Sequence, residues 1–382
     1  MPIYLDHNAA TPLDPAVLEA MLPYLTDSYG NPSSAHRSGR ASRGAIETAR
    51  EQVADLVNAQ PGQVIFTSGG TEANNLAIQG VTGMKTSGCM AIGATEHPSV
   101  AESAASLRDR GWRVAELPVD EQGLLVETAI DPILDQRPIL VSVMWANNET
   151  GVIQNIAALS QRVRACGSLM HTDAVQAAGK IAVDFAVSGA NLMSLSAHKI
   201  NGPKGVGALI VDKSVELRPL LQGGGQEKGQ RSGTENVAGI VGFGAAASLA
   251  KTRLADYETR LTALRDQLES ALRALNGIVI FGTGAKRLPN TVCFGMDGMD
   301  GETLLLNLDR AGIAVSSGSA CASSHREPSP VLTAMGIEPG LALSAVRVSL
   351  GINNTGQDIE DFMKTLAAQW QRLRPVAVRA AG

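Results

Sequence analysis

Seven short apolar runs that alternate with helical segments constrain the fold of this chain more than any other feature of its sequence. They lie at residues 64–68, 89–94, 112–119, 139–146, 168–175, 192–197 and 207–212. Several of these runs lack the polar alternation of a half-exposed strand, which is typical of strands covered by helices on both faces. Such strands, separated by helices, predict an α/β fold with a mostly parallel, doubly covered sheet.

The pattern changes near residue 251. A helix of roughly 24 residues ending at Gly277 is predicted there, because leucines 261, 264, 268, 272 and 275 form one stripe. Short strands mixed with helices follow, which indicates a smaller C-terminal α+β domain. The chain has 382 residues, more than most single cores contain. We therefore predict a large domain over residues 15–254 and a small domain formed by residues 1–14 and 255–382.

Composition excludes several classes of partner. The formal net charge is -5 and aromatic residues make up 3% of the chain, so there is neither a basic field nor a stacking surface for nucleic acid. The four cysteines form no C-x-x-C pair or zinc-like spacing, which is typical of a reducing cytoplasm and predicts no metal site. The N-terminus lacks a signal pattern, and the weakly apolar stretch 237–250 is too short to span a bilayer. We expect a cytoplasmic protein without membrane or direct nucleic-acid contacts.

The residues that follow the strands are informative because ligands of open α/β sheets bind beyond the carboxyl ends of the strands. Gly69, Gly70 and Thr71 follow the first run and open a helix. Free backbone N–H groups at such a helix start favour a phosphate. The alternative is a plain glycine turn with Thr71 as the N-cap.

An acid and a lysine follow two later strands. Asp173 lies near the end of the run at 168–175, where it either pairs with a cation or caps a helix. Lys199 follows the run at 192–197 and precedes Gly-Pro turns, although most lysines are simply solvated. A lysine, an acid at a neighbouring strand end and a phosphate-binding helix start are the three groups that hold pyridoxal phosphate.

Nine motifs occur in order over nearly the whole chain: YLDHNAAT, GNPSSAH, TSGGTEANN, EHPSV, VSVMWANNETG, HTDAVQAAGK, SAHKINGPKGVG, GGGQEKGQRSGTEN and VSSGSACAS with EPS after it. With them the chain resembles the NifS/IscS-type cysteine desulfurases of the class V aminotransferase family. The resemblance implies the fold type I of pyridoxal phosphate-dependent transferases, a homodimer with shared active sites, and L-cysteine as substrate.

The resemblance also implies a role for each site residue. Lys199 would bind the cofactor covalently and move the substrate's Cα proton, Asp173 would pair with the pyridine nitrogen, and His97 would lie over the ring. The cofactor's remaining contacts would come from Gly70, Thr71, Ser196 and His198 at the phosphate, Gln176 at the 3′ oxygen, and Thr234 at the neighbouring subunit's phosphate. Asn148, also at the cofactor, and Arg347 would bind the substrate's carboxylate. On residue type alone, His97 is more often a core or capping group, and Arg347 is equally a structural ion pair.

Cys321 would take the substrate's sulfur as a persulfide and pass it to an iron–sulfur scaffold or another acceptor, with a transient iron–sulfur contact as a further option. The small residues around it favour an exposed thiol on a loop. Cys89, Cys166 and Cys293 are interpreted as structural. Gln226 and Lys228 depart from the related pattern, which leaves the surroundings of the Thr234 contact open.

The sequence leaves three alternative functions open. A selenocysteine lyase, and an aminotransferase or kynureninase-like enzyme, share the scaffold. A non-catalytic sulfur carrier is the third, although retention of both Lys199 and Asp173 disfavours it.

Overall fold

Thirteen strands and twelve α-helices are present in the computed structural model, which describes residues 2–317 and 327–380, the last seven by their backbone alone. The strands are β1 (Ile3–Tyr4), β2 (Val64–Thr67), β3 (Cys89–Gly93), β4 (Arg113–Leu117), β5 (Leu140–Ser142), β6 (Leu169–Asp173), β7 (Leu192–Ser196), β8 (Gly207–Val211), β9 (Ile278–Ile280), β10 (Thr291–Met296), β11 (Ile313–Ala314), β12 (Ser316–Ser317) and β13 (Val346–Ser349). The helices are α1 (Pro15–Thr26), α2 (Arg37–Leu56), α3 (Gly70–Thr82), α4 (Pro98–Arg108), α5 (Glu127–Leu134), α6 (Ile156–Ala165), α7 (Phe185–Ser188), α8 (Val237–Arg273), α9 (Gly301–Arg310), α10 (Pro330–Ala334), α11 (Pro339–Leu343) and α12 (Gly356–Ala380).

The central sheet has seven strands in the order β2-β8-β7-β6-β5-β3-β4. Only β8 runs antiparallel to its neighbours, so the predicted mostly parallel sheet is confirmed. Successive residues of one strand pack into different cores: Leu192 belongs to the cluster on one face and Met193 to the cluster on the other. Because both faces are covered, apolar residues are needed at both alternating positions, and this explains the absence of polar alternation in the sequence.

A second sheet lies in the C-terminal part, with the antiparallel order β12-β13-β10-β9. The N-terminus joins this part, since β1 pairs with β11 and Asp6 forms a bridge with Ser349 at the end of β13. Leu5 is buried in the same hydrophobic cluster as Leu261 of α8. The segment that continues beyond Asp6 then crosses toward the large sheet, which matters for the site described below.

Helix α8 is longer than the sequence pattern predicts. It begins at Val237, not near residue 252, and includes the Gly/Ala-rich stretch. Glycines are required there because α8 packs closely on other helices: a Cβ at Gly244 would lie 2.7 Å from Cα of Ala49, and one at Gly242 would lie 2.6 Å from Sδ of Met21. The predicted domain boundary at residue 254 falls inside this helix, and the division into two domains stays a prediction.

Across the described ranges, none of the helices combines the length and the apolar character that crossing a membrane requires.

Candidate active site

A pocket opens where α3 begins, at the carboxyl edge of the central sheet. Gly70 and Thr71 line it from α3, and Ser196 and His198 line it from the end of β7 and the turn after it. Residue 70 must be small, since a Cβ there would lie 2.9 Å from Cγ2 of Val175. The pocket therefore combines the start of a helix with hydroxyl and imidazole groups from a second element.

The hydroxyl of Ser196 fits a bound phosphate. This side chain is buried, and its Oγ has no hydrogen-bond partner among the described residues. A buried hydroxyl normally has one, so an oxygen-rich ligand explains its orientation. Burial, with Lys199 and Lys204 nearby, lowers the pKa of His198 to about 4, so His198 offers a neutral ring to such a ligand. These observations fit the phosphate group of pyridoxal phosphate.

Asp173 is the last residue of β6 and is buried. Its Oδ2 accepts a hydrogen bond of 2.7 Å from Nδ2 of Asn74, and its Oδ1 accepts one of 2.9 Å from the backbone N–H of Val175. Asp173 therefore stabilises the turn after the strand and does not cap a helix, and its pairing with a cationic N–H group stays a prediction. Asn74, which lies on α3 within the motif TSGGTEANN, is a positioning residue that sequence reasoning missed.

His97 is the N-cap of α4. Its Nδ1 accepts a hydrogen bond of 3.1 Å from the backbone N–H of Ser99 and lies 2.7 Å from the Ser99 hydroxyl. This is the capping role that the residue type alone suggests. Burial lowers the pKa of His97, Asp173 opposes that shift and Lys199 adds to it, so both charged groups lie within electrostatic reach of the ring. The cap fixes the ring beside the predicted cofactor groups.

Lys199 ends a short 3-10 turn directly after β7. Its Nζ donates hydrogen bonds to two backbone carbonyls, that of Asn8 at 2.6 Å and that of Ala9 at 2.8 Å. The turn itself is fixed by the N–H of Gly202, which donates to the carbonyl of Ala197. The N-terminal segment therefore meets the predicted cofactor lysine.

Asn8 joins more predicted site residues than any other residue of that segment. Its backbone carbonyl accepts from Nε2 of Gln176 at 2.9 Å as well as from Lys199, and its Nδ2 donates to the carbonyl of Asn148 at 3.1 Å. Its Oδ1 accepts from Nζ of Lys180 at 2.8 Å. Sequence reasoning gave Asn8 no role, although it lies in the motif YLDHNAAT.

Arg347 lies on β13 and is buried. Its Nη2 donates to Oδ1 of Asp6 at 2.7 Å and its Nη1 to the backbone carbonyl of Asn148 at 3.1 Å. The structural ion pair is therefore present. Nε of Arg347 is buried and has no hydrogen-bond partner within residues 2–317 and 327–380, which leaves one donor for a carboxylate. Asn148 contributes its backbone carbonyl to this cluster.

Glu149 follows Asn148 and was not singled out from the sequence. It is buried, and its Oε2 accepts a hydrogen bond of 2.5 Å from the hydroxyl of Ser329, the N-cap of α10. Burial raises the pKa of Glu149 to about 7, although the Ser329 bond and Arg347 act in the opposite direction. The substrate-side loop and the start of α10 are thus joined by a carboxyl group that titrates near neutrality.

Among the predicted site residues that the structure describes, four line this pocket: Gly70, Thr71, Ser196 and His198. Thr234 is exposed on its own chain and does not line it. Of the two departures from the related pattern, Gln226 accepts a 2.9 Å hydrogen bond from the N–H of Gly233, beside Thr234, and Lys228 donates to the carbonyl of Gly62. Cys321 lies outside the described residues.

The other three cysteines are free thiols. Cys89 and Cys293 are buried on strands, and burial raises the pKa of Cys293 far above its usual range. Cys166 is the exposed C-cap of α6.

Comparison with known proteins places the chain in one family. The model of the family described as aminotransferase class-V matches residues 3–362. The chain is 42% identical over 378 residues to the cysteine desulfurase IscS of Dictyoglomus turgidum, and the match covers 98% of this chain and 96% of that protein. It is 44% identical over 381 residues to the cysteine desulfurase of Rhodobacter capsulatus, with 99% of each covered. A solved structure described as a NifS-like protein has a TM-score of 0.92 and 36% identity, and covers 98% of this chain and 100% of that one.

These matches extend over both sheets and over the whole pocket. The fold and the cofactor that the resemblance implies are thereby confirmed. The chain belongs to the class-V aminotransferase family, among its cysteine desulfurases, and is a pyridoxal phosphate-dependent enzyme.

Proposed function

We propose that the protein converts L-cysteine to L-alanine and transfers the sulfur to Cys321 as a persulfide, for delivery to an iron–sulfur scaffold or another acceptor. The observation that carries this proposal is the convergence on Asn8: the amine of Lys199, the amide of Gln176 and the carbonyl of Asn148 all meet one residue. Asn8 therefore connects residues predicted to hold the cofactor with a residue predicted to bind the amino-acid substrate. The substrate class is inferred from the cysteine desulfurases that are similar to this chain.

The predicted site residues each hold a different part of the cofactor. Gly70, Thr71, Ser196 and His198 hold its phosphate, while Asp173 takes its pyridine nitrogen. Gln176 takes the 3′ oxygen, and Lys199 is the covalent attachment. When bound, pyridoxal phosphate withdraws electrons from the substrate's Cα and so acidifies the proton there.

Residues of the chain then transfer the substrate's Cα proton and its sulfur. Arg347 and Asn148 orient the substrate's carboxylate, and Lys199 accepts the Cα proton. The thiolate of Cys321 attacks the substrate's sulfur, so that a sulfur–sulfur bond forms and the bond between Cβ and sulfur breaks. The electron pair of that bond remains with the carbon fragment, which takes up a proton at Cβ, regains at Cα the proton that Lys199 accepted, and leaves as alanine. One thiol and one cysteine thus yield one persulfide and one alanine, with no external oxidant.

We propose a homodimer in which Thr234 reaches the cofactor phosphate of the partner. One face of α1 supports this, because Leu18, Leu22 and Leu25 recur at helical spacing and are 43%, 47% and 61% exposed. Tyr29, just beyond the helix, is 89% exposed. An apolar face of this kind is typical of an interaction surface. Sedimentation of the holoenzyme should give twice the chain mass, and a fully active monomer would contradict the proposal.

We also propose a cytoplasmic location, supported by cysteine spacings that suggest neither disulfides nor metal sites.

The test of the activity is Cys321→Ser, with Cys166→Ser as the matched control at an exposed thiol. Cys321→Ser should abolish sulfide and alanine production while the cofactor's absorbance is unchanged, and Cys166→Ser should retain full activity. An aminotransferase would survive the loss of Cys321. A protein that binds no cofactor would support the non-catalytic carrier, and a strong preference for L-selenocysteine would support the lyase. Mass spectrometry of Cys321 after incubation with L-cysteine should detect one added sulfur atom.

A further inference from the structure

Lys180 is a buried amine for which the proposed reaction has no role. It is 1% exposed and is among the largest fully buried side chains of the described residues. Its Nζ donates to Oδ1 of Asn8 at 2.8 Å and to Oε1 of Gln176 at 2.6 Å. Both acceptors are neutral amide oxygens, whereas a buried lysine is usually paired with a carboxylate. An ion pair therefore does not explain why a lysine is buried at this position.

The first consequence of this arrangement is geometric. Because the amine of Lys180 donates to the amide oxygen of Gln176, the NH₂ group of Gln176 must turn the other way. It donates to the backbone carbonyl of Asn8 at 2.9 Å, the same oxygen that accepts from Lys199 at 2.6 Å. Lys180 thus determines which end of the Gln176 amide lies beside Lys199.

The second consequence is electrostatic. Lys180 and Lys199 donate to two oxygens of one residue, Asn8, so the two amines are neighbours. Burial lowers the pKa of Lys180 well below its usual range, and Lys199 and Arg347 lower it further. No acidic group within the described ranges offsets these charges at Lys180.

The histidines nearby show the same positive surroundings. Burial, together with neighbouring lysines that include Lys180, lowers the pKa of both His7 and His198 to about 4. A proton held by either amine therefore repels a proton on the other.

We propose that Lys180 is a positioning residue, which holds the Gln176 amide with its NH₂ toward Lys199 and opposes the protonation of Lys199. The uncharged form of the Lys199 amine is the one that can accept the substrate's Cα proton. The inference rests on the proposed role of Lys199 and deepens it.

The test compares Lys180→Met, which removes the charge and the donors, with Lys180→Gln, which removes the charge and keeps an amide donor. The main readout is the pH midpoint of the absorbance change of the cofactor in the holoenzyme. Loss of a neighbouring positive charge should raise this midpoint by about one pH unit or more in both variants. The kcat should fall about tenfold in Lys180→Met and less in Lys180→Gln, with KM for L-cysteine changed by no more than about twofold.

Lys251→Met is the matched control, because Lys251 is exposed and paired with Asp55. It should leave midpoint and kcat unchanged. An unchanged midpoint in both Lys180 variants, with only thermal stability lowered, would make Lys180 a structural residue and overturn the proposal. If Lys180→Met does not fold, the midpoint of Lys180→Gln decides the question alone.

A separate measurement tests the assumption about Lys199. Borohydride reduction of the wild-type holoenzyme, followed by peptide mass spectrometry, should find the cofactor on Lys199. Cofactor on Lys180 would overturn both the assignment of Lys199 and the positioning role. Cofactor on Lys199 with an unchanged pH midpoint in the variants would overturn only the positioning role.

Discussion

The buried ion pair between Arg50 and Glu227 allows a quantitative prediction about the segment that carries Thr234. Nη1 and Nη2 of Arg50 donate to the two carboxylate oxygens of Glu227, both at 2.8 Å, and the side chains are 3% and 2% exposed. Oε2 of Glu227 also accepts from the backbone N–H of Phe66 at 2.9 Å, while Nη1 of Arg50 donates to the carbonyl of Val64 at 2.8 Å. One pair therefore joins α2, β2 and the turn at residues 227–229.

Glu227→Gln retains the shape of the side chain but removes the buried counter-charge of Arg50, whose Nε then keeps only the half-exposed carboxylate of Glu47 at 3.2 Å. Removing one partner from a buried pair typically costs about 3–5 kcal/mol, and every bond described above lies in that buried environment. We expect the free energy of unfolding to fall by that amount. Lys228→Gly is the control at the adjacent residue: its φ is +59°, which glycine adopts freely, so the change should stay within about 1 kcal/mol.

Urea unfolding of the apo-enzyme, followed by circular dichroism, measures these changes. The double variant Arg50→Met, Glu227→Leu should be more stable than Glu227→Gln alone, since no charge is then left buried. A loss below about 1 kcal/mol in Glu227→Gln would refute this reasoning, as would a double variant no more stable than the single one.

Three further predictions concern the site. In the folded protein Glu149 keeps its proton up to about pH 7, so the free energy of unfolding should fall by up to about 3 kcal/mol as pH rises from about 4.5 to 7; urea titrations of Glu149→Gln across this range should lack that fall. Gly70→Ala brings a Cβ against Val175 and should weaken cofactor binding about tenfold by equilibrium dialysis, and unchanged affinity would exclude a close approach there. Asn74→Ala removes one hydrogen bond to Asp173, about 1 kcal/mol, and should weaken cofactor binding about fivefold in the same assay; affinity equal to wild type would mean that Asn74 does not orient the acid.

Local patterns in the sequence were sufficient for the main elements. The seven apolar runs correspond to the seven strands of the central sheet, because a doubly covered strand needs apolar residues at both alternating positions. The start of α3 after Gly69 and the position of Asp173 at the end of β6 follow equally from short stretches of chain. The start of α8 did not, because the small residues at its N-terminal half reflect close packing against α1 and α2 rather than a break in the helix.

What the sequence alone determined is the order of strands and helices, the edge at which the site lies and the residue types available there. Only the tertiary structure decided which groups meet. Asn8 contacts Lys199 from 191 positions away, and the hydroxyl of Ser329 reaches Glu149 across 180 positions. Periodicity reports how a residue relates to its near neighbours, whereas a hydrogen bond between distant segments depends on the packing of the whole chain. The predicted site residues were therefore readable from motifs, and Asn8 and Lys180, which hold them in place, were not.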